Sequence, residues 1–213
     1  MAITTLAELQ DAVHNWLVRT DQSARTPEFI ALAEAEINRR LEIREMETRS
    51  TATLTTNTQY IELPTTAASF LRLERLKITT DPQVVLRYLP PHQLDFEFPS
   101  ATTGKPQAYS LVGTSIQLRP IADATYTLES VYYARLSALS ASNVPTLFTQ
   151  NPDLYLYGAL AHAMLFINEP DETQRHSQFR GLFDKALAEQ RLRDMKGRYS
   201  GSPLVIRSDV GAP

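Results

Sequence analysis

The stretch that most constrains the fold is an apolar run from Asn151 to Phe166, NPDLYLYGALAHAMLF. Asn151 suits a helix N-cap, Pro152 suits the first helical position because no N–H is needed there, and Asp153 favours the positive end of the helix dipole. Apolar residues then recur at three- and four-residue steps: Leu154, Tyr157, Leu160, Ala161, Met164 and Leu165. Most of the remaining positions are apolar too. The sequence therefore predicts a helix that lies at the centre of a bundle and is packed against other elements on more than one side.

Three further helices are predicted around this central one. Thr5 and Glu8 form a capping box for a first helix that runs to about Arg19. A second helix opens at Thr26-Pro27-Glu28, and Ile30, Ala33, Ile37 and Leu41 form its buried stripe. A fourth helix is predicted from Glu172 to Lys196, a length of roughly 37 Å at ~1.5 Å per residue.

Between the helical pairs the apolar period changes to two, which is typical of strands. Ala52–Leu54 and Tyr60–Leu63 are interpreted as a hairpin rich in Thr, Tyr and Ile. The apolar parity switches near Glu74-Arg75, which predicts a β-bulge there. Gly113-Thr114 is predicted to turn one strand into the next. These features indicate an insert of about six short antiparallel strands.

The predicted fold class is therefore α+β: a four-helix bundle of two N-terminal and two C-terminal helices, with an inserted antiparallel β domain and an extended C-terminal tail. The predicted boundaries are 1–48 for the first helical pair, 49–136 for the β domain, 137–196 for a connector and the second pair, and 197–213 for the tail. The tail is rich in Gly, Ser and Pro around one apolar cluster, Leu204-Val205-Ile206, and is interpreted as a segment that orders on a partner.

Composition excludes several classes of site. The chain has 213 residues and no cysteine, so disulfides, iron–sulfur clusters and thiolate zinc sites are excluded. No apolar run reaches the ~18 residues of a membrane span, and the N-terminus lacks the pattern of a signal peptide. We expect a soluble protein made in the cytosol, with no membrane contact.

Catalytic motifs are missing from the sequence. The four histidines, His14, His92, His162 and His176, are scattered and match no metal-binding spacing. There is no GxSxG elbow, P-loop or GxGxxG fingerprint. His162 lies on a mostly apolar helix and is interpreted as structural. The prediction is a protein that is not an enzyme and has no catalytic residues, cofactor or metal.

A charged run on the second predicted helix has two interpretations. Arg39, Arg40 and Arg44 could contact phosphates, but glutamates are interleaved among them and the net charge is −3, so specific DNA binding is disfavoured. Glu36 and Arg40 form an acid-then-base pair four residues apart. The run is either a solvated helix face or a lateral contact with another subunit, whose candidate residues are Glu36, Arg39, Arg40 and Arg44.

Three sequence segments point to a family. They are TPEFIALAEAEINRRL, the tyrosine-rich strand and connector SVYYARLSALSASN, and NPDLYLYGALAHAMLF. They occur in this order, with the β insert between the first and the second. Through them the chain resembles the head-to-tail adaptor (connector) proteins of short-tailed bacteriophages over nearly its whole length.

The resemblance implies a virion protein that forms a ring at the head–tail junction, dodecameric in the virion and compatible with a monomer in free solution. The ring would lie between the portal protein ring and the tail nozzle protein, and the DNA would pass through its lumen without specific binding. The resemblance also implies that the C-terminal segment meets the portal, for which the candidate residues are Arg198, Tyr199, Leu204, Val205, Ile206 and Arg207.

Three alternatives stay open. A tail-completion protein of another virion type shares the helices but usually has a smaller insert. A cell-wall hydrolase would need an acid and a carboxylate or histidine brought together by the fold. A DNA-binding helical module would lose affinity steeply with salt.

Overall fold

The chain folds into two compact units, one of helices and one dominated by β-strands. The structure is a computed structural model that describes residues 3–18, 23–63, 69–167 and 172–199. The helical unit comprises residues 1–44 and 138–213, and the β unit comprises residues 45–137. The predicted α+β class is confirmed.

The helices lie mainly in the first unit. In chain order they are α1 (Leu6–Leu17), α2 (Thr26–Arg40), α3 (Pro91–Glu97), α4 (Thr146–Gln150), α5 (Pro152–Ile167) and α6 (Glu172–Tyr199), with short 3₁₀ turns at Ser23–Arg25 and Arg44–Met46. Of the α-helices in the described ranges, only α3 belongs to the β unit. The predicted capping box is confirmed, since the Glu8 N–H donates to the Thr5 hydroxyl and the Thr5 N–H donates to the Glu8 carboxylate.

Helix α5 is the centre of the helical unit. It begins at Pro152, as predicted, and contacts α1, α2, α4 and α6. Its buried residues lie on more than one side of the helix: Leu154, Tyr155, Leu156, Gly158, Ala159, Leu160, Ala161, Ala163 and Met164. The prediction that Leu165 belongs to the buried stripe was wrong, because this residue lies in the last turn of α5 and is 59% exposed.

Close packing around α5 depends on one glycine. A Cβ atom at Gly158 would lie 2.9 Å from the Cβ of Ala33 on α2 and 3.0 Å from the ring of Phe183 on α6. These distances are shorter than ordinary carbon–carbon contacts, so the missing side chain lets both neighbouring helices approach the α5 backbone.

The strands that the structure describes in the β unit form two four-stranded sheets and a short pair. In chain order they are β1 (Glu47–Leu54), β2 (Tyr60–Glu62), β3 (Phe70–Ile78), β4 (Val84–Val85), β5 (Arg87–Tyr88), β6 (Thr103–Gly104), β7 (Ala108–Val112), β8 (Ser115–Arg119), β9 (Ile121–Ala122) and β10 (Tyr126–Ala134). Sheet A has the order β1-β10-β3-β4, sheet B has the order β2-β8-β7-β5, and β6 pairs with β9. Most pairs are antiparallel, as predicted, but β5–β7 and β6–β9 are parallel.

The predicted hairpin between Ala52–Leu54 and Tyr60–Leu63 was wrong. Strand β1 pairs with β10 in sheet A, whereas β2 pairs with β8 in sheet B. Leu54 and Leu63 are both buried in the core that the residues of the two sheets share. An alternating pattern requires only that one face of a strand is buried, and strands of different sheets satisfy it as well as a hairpin does.

The predictions about local strand geometry are confirmed. The β3–β10 register passes from Arg75 opposite Val131 to Leu73 opposite Tyr132, which leaves Glu74 as an extra residue. Strands β7 and β8 form an antiparallel hairpin around Gly113, whose φ of 62° suits a residue without a side chain.

Candidate interaction surfaces

The C-terminal portal candidates fall partly on α6. The sequence predicted a helix ending at Lys196 and a tail from Gly197, but α6 continues to Tyr199, so Arg198 and Tyr199 are helical. Leu204, Val205, Ile206 and Arg207 lie outside the described residues. Gly197 did not end the helix, because a glycine in a helix costs only about 1 kcal/mol relative to alanine and neighbouring contacts can offset that amount.

One carboxylate secures the end of α6. Asp194 accepts a hydrogen bond from the Arg198 guanidinium one turn later, at 2.7 Å. It also accepts the backbone N–H of Arg44 at 2.8 Å. Asp194 therefore holds the last turns of α6 against the segment that follows α2. Because the first of these contacts spans four residues within the helix, it also supports helical structure past Lys196.

The subunit-interface candidates differ in their surroundings. Glu36 is only 7% exposed, and its carboxylate is engaged within the chain. It accepts hydrogen bonds from the guanidinium groups of Arg40 at 2.9 Å and Arg180 at 2.5 and 2.9 Å. The predicted pairing of Glu36 with Arg40 is therefore present, and sequence reasoning missed Arg180, which lies 144 residues further along the chain.

The same network extends to α5 and to a second acid on α6. Arg40 donates to Asp184 at 2.6 Å. The Nε2 atom of His162 lies 3.2 Å from the Glu36 carboxylate. Glu36 on α2 therefore faces ionisable residues of both α5 and α6, and the cluster joins three helices at their common contact.

Burial and charge oppose each other at Glu36. Burial raises its pKa, but the hydrogen bonds from Arg180 and Arg40 and their positive charges outweigh burial and lower the pKa to about 2. At His162, burial lowers the pKa, and the nearby Arg180 adds to that effect against the attraction of Glu36. Glu36 is thus ionised at neutral pH, and the fold favours neutral His162.

The other two interface candidates point to solvent. Arg39 and Arg44 are exposed, and Arg39 follows Glu36 by three residues on α2. The end of α2 also makes contacts within the chain: the Arg191 guanidinium donates to the Arg40 carbonyl oxygen. Of the four candidates, Arg39 and Arg44 are therefore the best placed to reach another molecule, and the assignment of the subunit interface stays a prediction.

A cleft of about 290 Å³ opens between the start of α5 and the later part of α6. It is lined by Asn151, Asp153, Ala186, Glu189, Gln190 and Arg193. Two carboxylates, two amides and one guanidinium make it polar.

The histidines lie in separate surroundings. The Nε2 atom of His14 lies 2.7 Å from the Thr26 hydroxyl, and His162 belongs to the Glu36 network. Within the described ranges, no group of three or more His, Asp or Glu residues is arranged to hold a metal ion. None of the helices in that part of the chain is both long enough and apolar enough to cross a bilayer.

The β unit presents a charged face on sheet A. Glu129 of β10 is 5% exposed and contacts Arg49 of β1 and Arg75 and Lys77 of β3. The hydrogen bond from Arg49 is the main cause that lowers the pKa of Glu129, and burial opposes it. This cross-strand cluster fixes the outer face of the sheet, while the opposite face supplies the buried core.

Comparison with known proteins identifies the type of chain. Residues 4–207 match the family model described as SU10 adaptor protein. A search of curated proteins found no match. The family match spans nearly the whole chain and confirms the resemblance to adaptor proteins that the three sequence segments indicated.

Proposed function

From the premise that this chain belongs to the SU10 adaptor protein family, a family of phage structural adaptors, we propose that it forms a ring between the capsid portal and the tail nozzle. The ring is a dodecamer in the virion, and the genome passes through it. Helices α1, α2, α5 and α6 act as a four-helix bundle that forms the body of each subunit.

The C-terminal segment is the proposed portal contact. The family match extends through Arg207, so the cluster Leu204-Val205-Ile206 belongs to the matched region although it follows α6 in the sequence. A short apolar segment of this kind can bury its side chains in a groove or add a strand to a sheet edge of a partner. Arg198 and Tyr199, at the end of α6, would bring the segment to the portal.

The proposed lateral contact between subunits uses Arg39 and Arg44. Both are exposed, whereas Glu36 is buried in the network with Arg180 and Arg40. The role of Glu36 and Arg40 is then indirect, because they hold α2 and α6 in the arrangement that presents the two exposed arginines.

The overall charge suits a channel for DNA. A net charge of −3 at pH 7 gives no general attraction for phosphates, so a passing genome is not retained. Weak lateral contacts are enough for ring formation on the portal, because many copies on one platform raise the effective concentration of their neighbours. The free chain is therefore expected to be monomeric and to assemble on the portal.

The family match over residues 4–207 is the observation that carries this proposal. Mass photometry of the purified portal ring mixed with the chain tests it, with three forms of the chain: full length, a truncation after Tyr199 and the variant Val205→Glu. We expect the full-length chain to add to the portal in one closed stoichiometric step, and the two altered forms to add weakly or not at all.

The truncation is placed after Tyr199 because α6 reaches that residue and a shorter chain would lose helix as well as tail. Circular dichroism of all three forms checks that the helices are intact. Equal binding by the truncated chain would refute the role of the tail. Failure of every folded form to bind the portal would refute the adaptor ring itself, and an assay for peptidoglycan hydrolysis would then follow.

A further inference from the structure

The polar cleft between the start of α5 and the later part of α6, which we call the α5–α6 cleft, has an unsatisfied acceptor in its wall. Gln190 lines the cleft and is only 7% exposed, yet its Oε1 atom has no hydrogen-bond partner among the described residues. A buried acceptor without a donor costs free energy. A donor that enters the cleft would supply the missing hydrogen bond.

The cleft also offers a negative charge. Asp153 lines it, is exposed, and forms no ion pair within the described part of the chain. Glu189 is less available, because its carboxylate already lies 3.8 Å from the Lys185 ammonium. Arg193 is a cation in the same wall. A positively charged donor is therefore attracted by Asp153 and repelled by Arg193, so these two residues should have opposite effects on its binding.

The size of the cleft suits one side chain. Its volume is about 290 Å³, whereas pockets for small molecules usually hold ~300–1,000 Å³. A guanidinium group carries its N–H donors in a rigid planar fork, so it can bind a carboxylate and a carbonyl oxygen at the same time. An arginine side chain therefore matches the two acceptors, Asp153 and Gln190.

Arg39 on α2 is an exposed arginine at the same level of the helical unit. The next residue, Arg40, contacts Asp184 and Arg191 of α6. The α6 residues that line the cleft belong to the same stretch of that helix: Ala186, Glu189, Gln190 and Arg193. Rotation about a ring axis preserves height and distance from the axis, so surfaces at the same level of each subunit can meet in a ring.

The cleft and α2 lie on opposite sides of α6. Asp184 and Arg191 face α2, because both contact Arg40. Ala186 and Arg193 follow them by two residues each, which is about 200° around the helix at ~100° per residue. A head-to-tail ring uses two different surfaces on each subunit, one toward each neighbour. The positions of Arg39 and the cleft meet this requirement.

We propose that Arg39 of one subunit enters the α5–α6 cleft of the next subunit, where its guanidinium binds the Asp153 carboxylate and donates a hydrogen bond to Gln190. This contact rests on the ring proposed above and names the surface that receives one of its two lateral arginines. Repeated around the ring, it gives every subunit one filled cleft and one inserted arginine.

Charge-reversal variants of the full-length chain test the contact. R39E and D153R each place like charges against each other, and R39E/D153R restores an attractive pair. Sedimentation velocity at high protein concentration and low salt measures self-association of the free chain, and mass photometry measures saturation of the portal ring. We expect each single variant to need roughly tenfold more protein than the wild-type chain in both measurements, and the double variant to come within about threefold of it.

The matched control for this rescue is R39E/D11R, because Asp11 is an exposed acid on a different helix, α1. It has the same composition and net charge as R39E/D153R, but it should associate no better than R39E. R193Q should have the opposite effect and need about threefold less protein than the wild-type chain, since it removes the charge that repels Arg39. Circular dichroism verifies that each variant is folded.

A mixture of R39E with D153R tests whether the contact joins two chains. Each mixed pair brings together an unaltered Arg39 from one variant and an unaltered cleft from the other. The mixture should therefore self-associate more strongly than either variant alone. Equal association of the mixture and the single variants would overturn the proposal, and so would equal association of R39E/D153R and R39E/D11R.

The two measurements separate the contact from the proposed function. If the wild-type chain saturates the portal and R39E and D153R do so equally well, the Arg39 contact is refuted while the ring stands. If the wild-type chain does not bind the portal but its self-association follows the expected order of variants, the portal ring is refuted and the contact stands. A wild-type chain that neither self-associates nor binds the portal would overturn both.

Discussion

The two units of this chain stabilise a buried carboxylate in different ways. In the helical unit, Glu36 is held by Arg180, a residue 144 positions away on another helix, and the contact joins α2 to α6. In the β unit, the partners of Glu129 lie on the two strands next to its own. The arginine side chains around Glu129 are 68% and 51% exposed, whereas Arg180 and Arg40 are 36% and 32% exposed.

This difference shows where each unit is sensitive to change. The helical unit concentrates its contacts on one helix, α5, and on one charged cluster beside it. The β unit distributes its core over residues of two sheets and keeps its charged cluster on the outer face of one of them. Single substitutions should therefore have larger effects in the helical unit.

The two units can be followed separately in one experiment. The only tryptophan, Trp16, lies in the helical unit and packs against Tyr157 and Phe179, with ring centroids 6.1 and 6.0 Å apart. Its fluorescence reports on the unfolding of that unit in urea, and far-ultraviolet circular dichroism reports on both units.

The largest effect is expected for Gly158→Leu. A side chain at this position would collide with Ala33 and Phe183 and force α2 and α6 away from α5, at a cost of about 3 kcal/mol or more in the free energy of unfolding. Urea titration followed by Trp16 fluorescence measures it.

The matched control for that substitution is Gly181→Ala on α6, where a Cβ atom would have no neighbour within 4 Å. This change should stabilise the helical unit by up to about 1 kcal/mol through helix propensity. A tolerated Gly158→Leu substitution would contradict the close packing described for α5.

The next effect is expected for Glu36→Gln, which removes the charge that binds Arg180 and Arg40. We expect a loss of about 2 kcal/mol near pH 7 in the transition reported by Trp16. The stability supplied by ionised Glu36 is complete above its ordinary pKa of 4.5 and is lost as the pH falls toward its folded pKa of about 2.

The difference between the wild-type chain and Glu36→Gln should therefore shrink as the pH falls from about 4.5 toward 2. Repeating the urea titrations across this range measures it. A difference that does not depend on pH would mean that Glu36 acts through its shape rather than its charge.

A smaller effect of opposite sign is expected for Val18→Gly. Val18 follows α1 in the left-handed region, with a φ of 55°, and a β-branched side chain is strained there. Glycine should stabilise the helical unit by about 1 kcal/mol. The control is Val18→Ala, which should relieve less of the backbone strain than glycine does. Leu17→Gly would not serve as a control, because Leu17 is buried.

The smallest effect is expected for Glu129→Gln in the β unit. Two of its three basic partners, Arg49 and Arg75, are exposed and can be solvated when the carboxylate is lost, while Lys77 is 21% exposed. In Glu129→Gln, the circular dichroism transition of the β unit should shift less than the Trp16 transition shifts in Glu36→Gln. The Trp16 transition of Glu129→Gln itself should not move. An effect as large as that of Glu36→Gln would remove the proposed contrast between the units.

Features that depend on neighbouring residues were predictable from the sequence. The Thr5–Glu8 capping box, the start of α5 at Pro152, the bulge at Glu74 and the turn at Gly113 each follow from a few adjacent residues. The pair Glu36–Arg40 was predictable for the same reason, since four residues span one helical turn.

Features that depend on distant residues were not predictable. The partner strands of β1 and β2 are 53 or more residues away, and the alternation of each strand fits several partners. No sequence pattern around Arg180 indicated that it contacts Glu36. The end of α6 was placed too early because a single glycine disfavours a helix only weakly, and the contact of Asp194 with Arg44 stabilises the last turns from outside the helix.

Cryo-electron microscopy of the portal ring incubated with the full-length chain tests the central claim most directly. The account predicts a second closed ring against the portal, with density for the residues after Tyr199 lying on the portal surface. A portal that stays bare, or a bound ring whose C-terminal segments point away from the portal, would contradict it.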